Sequence, residues 1–323
     1  MITKLTACCW IASFIASLGA EICPLQAGPP DLSVDSTRGP GELKVSYQGR
    51  TLLVYAFATN QFKPYVRELH TLAGDNVLLD APPDHLHHHG LMYAIRVNGI
   101  NFWEEQNQPG YERSISLSNP EIGRTTRGLP KASFTQLLHW VSREDANKPD
   151  TTPVALLVEQ RTLTISVDEQ EQEVALSWTS QFQVGKGANK VQLTGSSYHG
   201  LGLRVPRSFD RVAEHVNSEK AAYPTAGKGD VTRARWSALR HEIGTRSVTL
   251  AMFGQPEAGR GLPSFFTMVD PFTYLSGTQG LDKAPLEYEA GQTFRVDYLL
   301  LVYSDRKAPE YLEGRYRQWT APK

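Results

Sequence analysis

The chain has 323 residues, 40% hydrophobic and 21% charged, enough apolar material for one large or two modest domains, which excludes disordered, collagen-like and coiled-coil chains. Its 33 basic and 34 acidic side chains leave a formal net charge of −1. No global field draws it onto nucleic acid or anionic lipid, so no nucleic-acid partner is expected.

The first element is a leader. Leu5 to Ala20 is an apolar stretch behind a short segment carrying Lys4, and Ser17 and Gly19 fit the small-residue sites of a signal peptidase. The stretch is shorter than the roughly 20 apolar residues of a spanning helix. A signal peptide over residues 1–19 is therefore expected, with an exported product, periplasmic or extracellular, that has no membrane attachment after cleavage. Cys8, Cys9 and Cys23 all lie in or beside this leader, so no disulfide framework, thiolate zinc site or cysteine nucleophile is expected. Residues 20–41, with Gly28-Pro29-Pro30 and Gly39-Pro40, read as a Pro/Gly-rich tether without core residues.

The fold is expected to begin at residue 42. Leu43, Val45 and Tyr47 alternate with polar neighbours, Gly49-Arg50 turns the chain, and Thr51 to Phe57 reads as a more buried strand. Thr162 to Val167 alternates in the same way, followed by a polar hairpin connection. Val174, Leu176, Trp178, Phe182 and Val184 then share one face of a long strand. Thr293 to Tyr303 repeats the pattern, and only Ala308 to Trp319 looks helical. The expectation is an all-β, antiparallel sandwich or supersandwich occupying 42–305 as a single domain, with a C-terminal helix and tail at 306–323. Residues 206–244 are expected to form a long loop with no strand longer than Arg233 to Leu239.

Four of the nine histidines, His85, His87, His88 and His89, fall within five positions after Pro82-Pro83-Asp84. The prolines resist ladder pairing, so the cluster should begin as a loop and enter a buried strand, Leu91 to Val97, at Gly90. Were it extended, His85, His87 and His89 would share one face, and those three would be the ligands of a divalent metal. The Glu of a cupin-type His-x-His signature is missing, with Met92 and Tyr93 in its place, and no cofactor is predicted. Asn98-Gly99 closes a hairpin onto Ile100 to Trp103. Pairing across it would return Glu104 and Glu105 toward the histidines, where Glu105 could act as base or orienting group.

A second cluster, Tyr198-His199-Gly200-Leu201-Gly202-Leu203-Arg204, has two glycines that mark a close backbone approach. Arg204, with its planar fork, is the expected substrate clamp, or else half of an internal ion pair. No Gly-x-Ser-x-Gly, P-loop or Gly-x-Gly-x-x-Gly occurs.

Phe62-Lys63-Pro64-Tyr65-Val66, Asp84-His85-Leu86-His87-His88-His89-Gly90-Leu91, Val97 to Trp103 and Gly200 to Arg204 together resemble the bacterial family labelled "methane oxygenase PmoA-like". The resemblance covers residues 43 to 304 and departs from the pattern Asp-His-Pro-His-His-Arg-Gly at Leu86 and His89. A methane monooxygenase membrane subunit needs several spanning helices, so that activity is set aside. The resemblance implies a galactose-mutarotase-like supersandwich that binds sugars on a concave sheet and uses His and a carboxylate in proton transfer.

The function expected from all this is an exported enzyme acting on a small-molecule or glycan substrate, a mutarotase, epimerase or lyase. His87, His88, His85 and Glu105 are its expected catalytic residues, and Arg204, His89, His199, Trp103 and Asp84 its expected substrate contacts. Two alternatives stand beside it. One is a non-catalytic carbohydrate-binding module with Trp103 and Trp236 stacking on the sugar, and the other is a His-ligated, metal-dependent oxygenase or hydrolase.

Overall fold

A computed structural model of the protein describes residues 32–36, 41–146, 154–220, 229–256 and 261–321. The signal peptide expected over 1–19 lies outside them, as does most of the segment read as a tether. Strand accounts for 54% of the structure and helix for 6%, so the period-2 reading of the chain holds. It is an antiparallel β-supersandwich with one C-terminal helix.

The first sheet has nine strands in the order Leu32–Asp35, Glu42–Tyr47, Arg50–Ala56, Tyr65–Leu69, Leu91–Ala94, Gly200–Arg204, Tyr274–Thr278, Ser264–Met268 and Asp230–Arg233. The second also has nine, built around the long ladder Thr293–Tyr303, Glu173–Val184, Leu157–Asp168 and Pro130–Val141. Between them lies one continuous apolar core. Tyr93 of the first sheet meets Phe182 of the second at 5.5 Å, and Tyr55 meets Phe134 at 5.3 Å. A small four-stranded sheet holds the Asn98-Gly99 hairpin against Lys190–Thr194. Helix Pro309–Thr320 opens with Pro in its first turn and covers the outer face of the second sheet through Leu312 and Tyr316.

Three local expectations are corrected. Leu32–Asp35, inside the expected tether, pairs with Glu42–Tyr47, and Leu32 is in the core. Its Leu-Ser-Val-Asp alternation is only four residues long, too short to stand out from its Pro- and Gly-rich surroundings. The long loop expected over 206–244 contains the strands Glu214–Asn217, Asp230–Arg233 and Trp236–Ile243. The strand expected at Thr162 starts earlier, at Leu157, because Glu159 and Arg161 occupy its inward positions. Arg161 lies between Glu159, at 2.7 Å, and Glu112, at 2.8 Å, with its guanidinium 4.6 Å from the Trp178 ring centre. A buried cation so surrounded is satisfied, but it breaks the apolar alternation by which a strand is recognised.

Candidate functional site

Gly200–Arg204 pairs with Leu91–Ala94, Leu203 opposite Leu91, and Arg204 N–H donates to the Gly90 carbonyl at 2.8 Å. This register brings two segments more than 100 residues apart to one end of the first sheet. Residues 81–90 then form a turned loop, not an extended strand. His85 N–H donates to Pro82, His88 N–H to His85, and Ala81 N–H to His88, each at 2.9 Å. Gly90 returns the chain to the sheet at φ 34°, where a Cβ would meet the Val66 carbonyl at 2.2 Å.

The turn divides the histidines into two groups. His85, His87 and His88 line a cavity of about 430 Å³ together with Glu104. Its remaining wall is apolar and aromatic, formed by Tyr198, Phe266, Met268, Pro271, Phe272 and Tyr274. Such a lining with a few convergent polar groups is what small-molecule sites have in common. His85 stacks on His88 at 4.6 Å, and the His88 ring sits 5.6 Å from those of both Phe272 and Tyr274.

Asp84 stands behind His85. Burial works to raise the Asp84 carboxyl, but the hydrogen bond with His85 and the charges of Arg204 and Arg207 prevail and hold it below its ordinary value. As an ionised acceptor 3.0 Å from His85 Nδ1, it requires that nitrogen to carry the proton and leaves Nε2 as the free position. Arg207 holds the other Asp84 oxygen at 2.6 Å. Burial, then Lys63 and His85, push His87 below the usual imidazole value. Burial, then His87, His85 and Arg204, drive His88 to about 2, so both rings are neutral at pH 7. His88, although in the loop, is only 6% exposed.

His89 belongs elsewhere. Its Nδ1 meets Asp80 at 2.8 Å, its Nε2 meets Glu105 at 3.0 Å, and its ring stacks on Tyr65 at 4.3 Å. Two carboxylates on two ring nitrogens demand an imidazolium. Burial opposes that charge, but the hydrogen bonds of Asp80 and Glu105 raise His89 above its ordinary value. Glu105 also accepts from the fully buried Lys63 at 2.6 Å, and although burial works to raise it, His89 and Lys63 bring it down to about 2. Glu105 is therefore part of an internal ion cluster, and Glu104, held by Asn101 Nδ2 at 2.9 Å, is the carboxylate on the cavity wall. Of the two adjacent glutamates it is Glu104, and not the expected Glu105, that lines the cavity, and Lys63, the buried partner of Glu105, was visible in the sequence only as part of the motif Phe62-Lys63-Pro64-Tyr65. The set His85, His87, His89 does not converge, and no three His, Cys, Asp or Glu among the described residues are grouped to hold a metal ion.

Trp103 and His199 lie behind the cavity, both buried, stacked on each other at 4.9 Å. Trp103 cannot offer its face to a sugar. His199 is driven to about 3 by burial, then by Arg96 and His87. Arg204 is 1% exposed and reaches the site from behind Phe272, its guanidinium carbon 3.8 Å from the ring centre. Trp236 is remote, buried beneath the C-terminal helix, where its Nε1 donates to Glu313 at 3.0 Å. A larger cavity, about 710 Å³, opens beside Asp230 and Lys283 but has no imidazole or aromatic ring in its lining.

A family profile described as a family of unknown function, DUF6807, matches residues 42–317. The chain belongs to DUF6807. The methane oxygenase label carried by the sequence resemblance is not shown by any comparison. No curated protein matches this DUF6807 member. Among solved structures, the GH36 α-galactosidase AgaB from Geobacillus stearothermophilus is similar over 85% of this chain and 41% of its own, at 11% identity and a TM-score of 0.50. The GH36 α-galactosidase AgaA from the same organism has a TM-score of 0.44 at 12% identity, over 85% of this chain and 41% of its own. A galactose mutarotase related enzyme from Lactobacillus acidophilus has a TM-score of 0.34 at 10% identity, over 80% of this chain and 97% of its own. The DUF6807 chain thus spans less than half of the α-galactosidases it matches, and at these identities the likeness is one of fold. Among the described residues no helix is long and apolar enough to cross a membrane.

Proposed function

We propose that this protein is an exported, carbohydrate-directed enzyme that uses imidazole acid–base chemistry in the cavity bounded by His85, His87 and His88. The observation that carries the reading is the Asp84–His85 pair beside that cavity, with Nδ1 committed to the carboxylate at 3.0 Å and Nε2 free. A carboxylate that fixes the tautomer of an imidazole is the arrangement by which proteins orient a general base. His87, neutral at pH 7, supplies a second acceptor in the same wall. A sugar bound between them could lose a proton to one ring and regain one from the other, the exchange that opening a ring or inverting a stereocentre requires. The fold shared with a GH36 α-galactosidase supports a sugar as the substrate class.

Turnover is tested by following anomer exchange and epimer or unsaturated-product formation by NMR on a panel of mono- and disaccharides. Wild-type activity that falls by about 10²- to 10⁴-fold in both His85→Asn and His87→Asn would support the reading. Sugar binding with no turnover would replace it with a binding module, and activity undiminished in both variants would place the chemistry elsewhere.

A further inference from the structure

The end of the cavity formed by Tyr274 and His88 holds more donors than the protein satisfies. Tyr274 is 2% exposed, and its hydroxyl has no hydrogen-bond partner. Arg204 lies directly opposite it across the strand pair, 1% exposed, with Nε and Nη1 unpartnered. Its Nη2 has only a long 3.4 Å contact to Asp84, and Asp210 stands 4.0 Å away. Arg207, at 2.6 Å, is the closer partner of Asp84. His88 Nδ1 is buried and unpartnered as well. Native proteins seldom leave buried polar atoms unsatisfied without a functional reason.

The backbone makes room for this. A Cβ on Gly202 would lie 1.7 Å from Tyr274 Oη and 3.0 Å from the Trp103 ring, so the glycine in Gly200-Leu201-Gly202 admits that hydroxyl to its place. Phe272 lines the cavity on one side and carries the Arg204 guanidinium on its face at 3.8 Å. The half-paired cation is therefore one ring away from the ligand space, in surroundings where charge is poorly screened.

We propose that the ligand is an acidic sugar, a hexuronate or a glycan end bearing one, whose carboxylate is received at the Tyr274–His88 end and compensated by Arg204. This rests on the carbohydrate reading above. A phenol and a guanidinium offer N–H and O–H groups, which an anionic acceptor satisfies while completing the charge balance of Arg204. Glu104, on the same lining, repels a carboxylate and suits hydroxyl donors, so it sets the orientation of the ring. Burial first, and then His87, His85 and Arg204, keep His88 neutral, so it adds no charge of its own beside Arg204.

The test is calorimetric titration of the purified full chain at pH 7 with D-galacturonate, D-glucuronate, D-galactose and D-glucose, using wild type, Tyr274→Phe and Arg204→Met. A uronate is expected to bind at least tenfold more tightly than its neutral parent. Tyr274→Phe is expected to lose most of that preference without a lower urea midpoint, since the hydroxyl removed has no partner in the protein. Arg204→Met is expected to abolish the preference, and Tyr274→Phe decides the matter alone if the Arg204 variant does not fold. Neutral sugars binding as tightly as uronates would overturn the proposal and leave the carbohydrate reading standing, as would an unchanged uronate preference in Tyr274→Phe. Failure of every sugar to bind would overturn both.

Discussion

Replacing Glu105 by Gln separates the structural half of the histidine cluster from its chemical half. In the native protein Lys63 Nζ, with no exposed side-chain surface, has two partners, the Glu105 carboxylate at 2.6 Å and the Trp103 carbonyl at 3.1 Å. The substitution removes the only charged one. It also takes from the His89 Nε2 its carboxylate at 3.0 Å, leaving the half-buried imidazolium with Asp80 alone while the buried Lys63 loses its charged partner. Removing one partner of a buried ion pair typically costs about 3 to 5 kcal/mol. Glu105 keeps 18% of its side-chain surface, which places the expected loss near the lower figure, about 3 kcal/mol.

Glu104→Gln, one position away and on the cavity wall, serves as the control and should cost less than about 1 kcal/mol. The assay is urea unfolding with m held in common. The pH dependence follows from the two shifts. Glu105, lowered to about 2 from 4.5, contributes stability that is present above pH 4.5 and lost as pH falls toward 2. His89, raised above 6.5, contributes stability that is complete below 6.5 and lost as pH rises through its folded value. The gap between wild type and Glu105→Gln should therefore be widest between pH 4.5 and 6.5. Equal midpoints for the two glutamate variants would refute the assignment of Glu105 to the interior.

His88, His199 and His215 are buried and held neutral at about 2, 3 and 4, each chiefly by burial, so their contribution is full above pH 6.5 and declines as pH falls below it. With about 1.4 kcal/mol per pH unit for each, going from pH 6.5 to 5 should cost up to about 6 kcal/mol, read as a falling urea midpoint; a flat midpoint over that range would contradict it. Gly202→Ala forces Tyr274 away from a Cβ at 1.7 Å, and overpacking of this kind costs about 1 to 3 kcal/mol, measurable by urea unfolding together with weaker sugar binding. His87→Ala should shift the urea midpoint by less than about 1 kcal/mol while removing turnover, whereas His88→Ala, deleting a ring packed against Phe272 and Tyr274, should lower both.

Strands with clean alternation were legible in the sequence, because burial of one sheet face imposes period 2 directly. Glu173–Val184 and Thr293–Tyr303 match their expected bounds to within a residue. Strands with inward charge were not: in Leu157–Asp168 the inward Arg161 is satisfied by Glu112 and the Pro64 carbonyl, and the inward Glu159 by Trp140 and Ser180, all on other segments of the chain. The density of histidines and the glycines before Arg204 pointed to the end of the sheet where the histidine-lined cavity lies. Their separation into two groups depends on a turn at 81–90 and on which carboxylate each ring meets, and Lys63, which anchors the second group, lies more than 20 residues before the cluster. The sequence left Trp103 and Trp236 open between stacking and core for a simple reason: an indole that stacks on a ligand and one that fills a core look alike in a strand, and both prove buried.

The most direct test of the central claim is a crystal structure of the protein soaked with the sugar that the titrations select. Electron density for the sugar should lie in the cavity between His85, His87, Glu104 and Phe272, with a sugar oxygen about 3 Å from a ring nitrogen of His85 or His87. A sugar bound instead in the larger cavity beside Asp230 and Lys283, with none at the histidines, would contradict the assignment of the site.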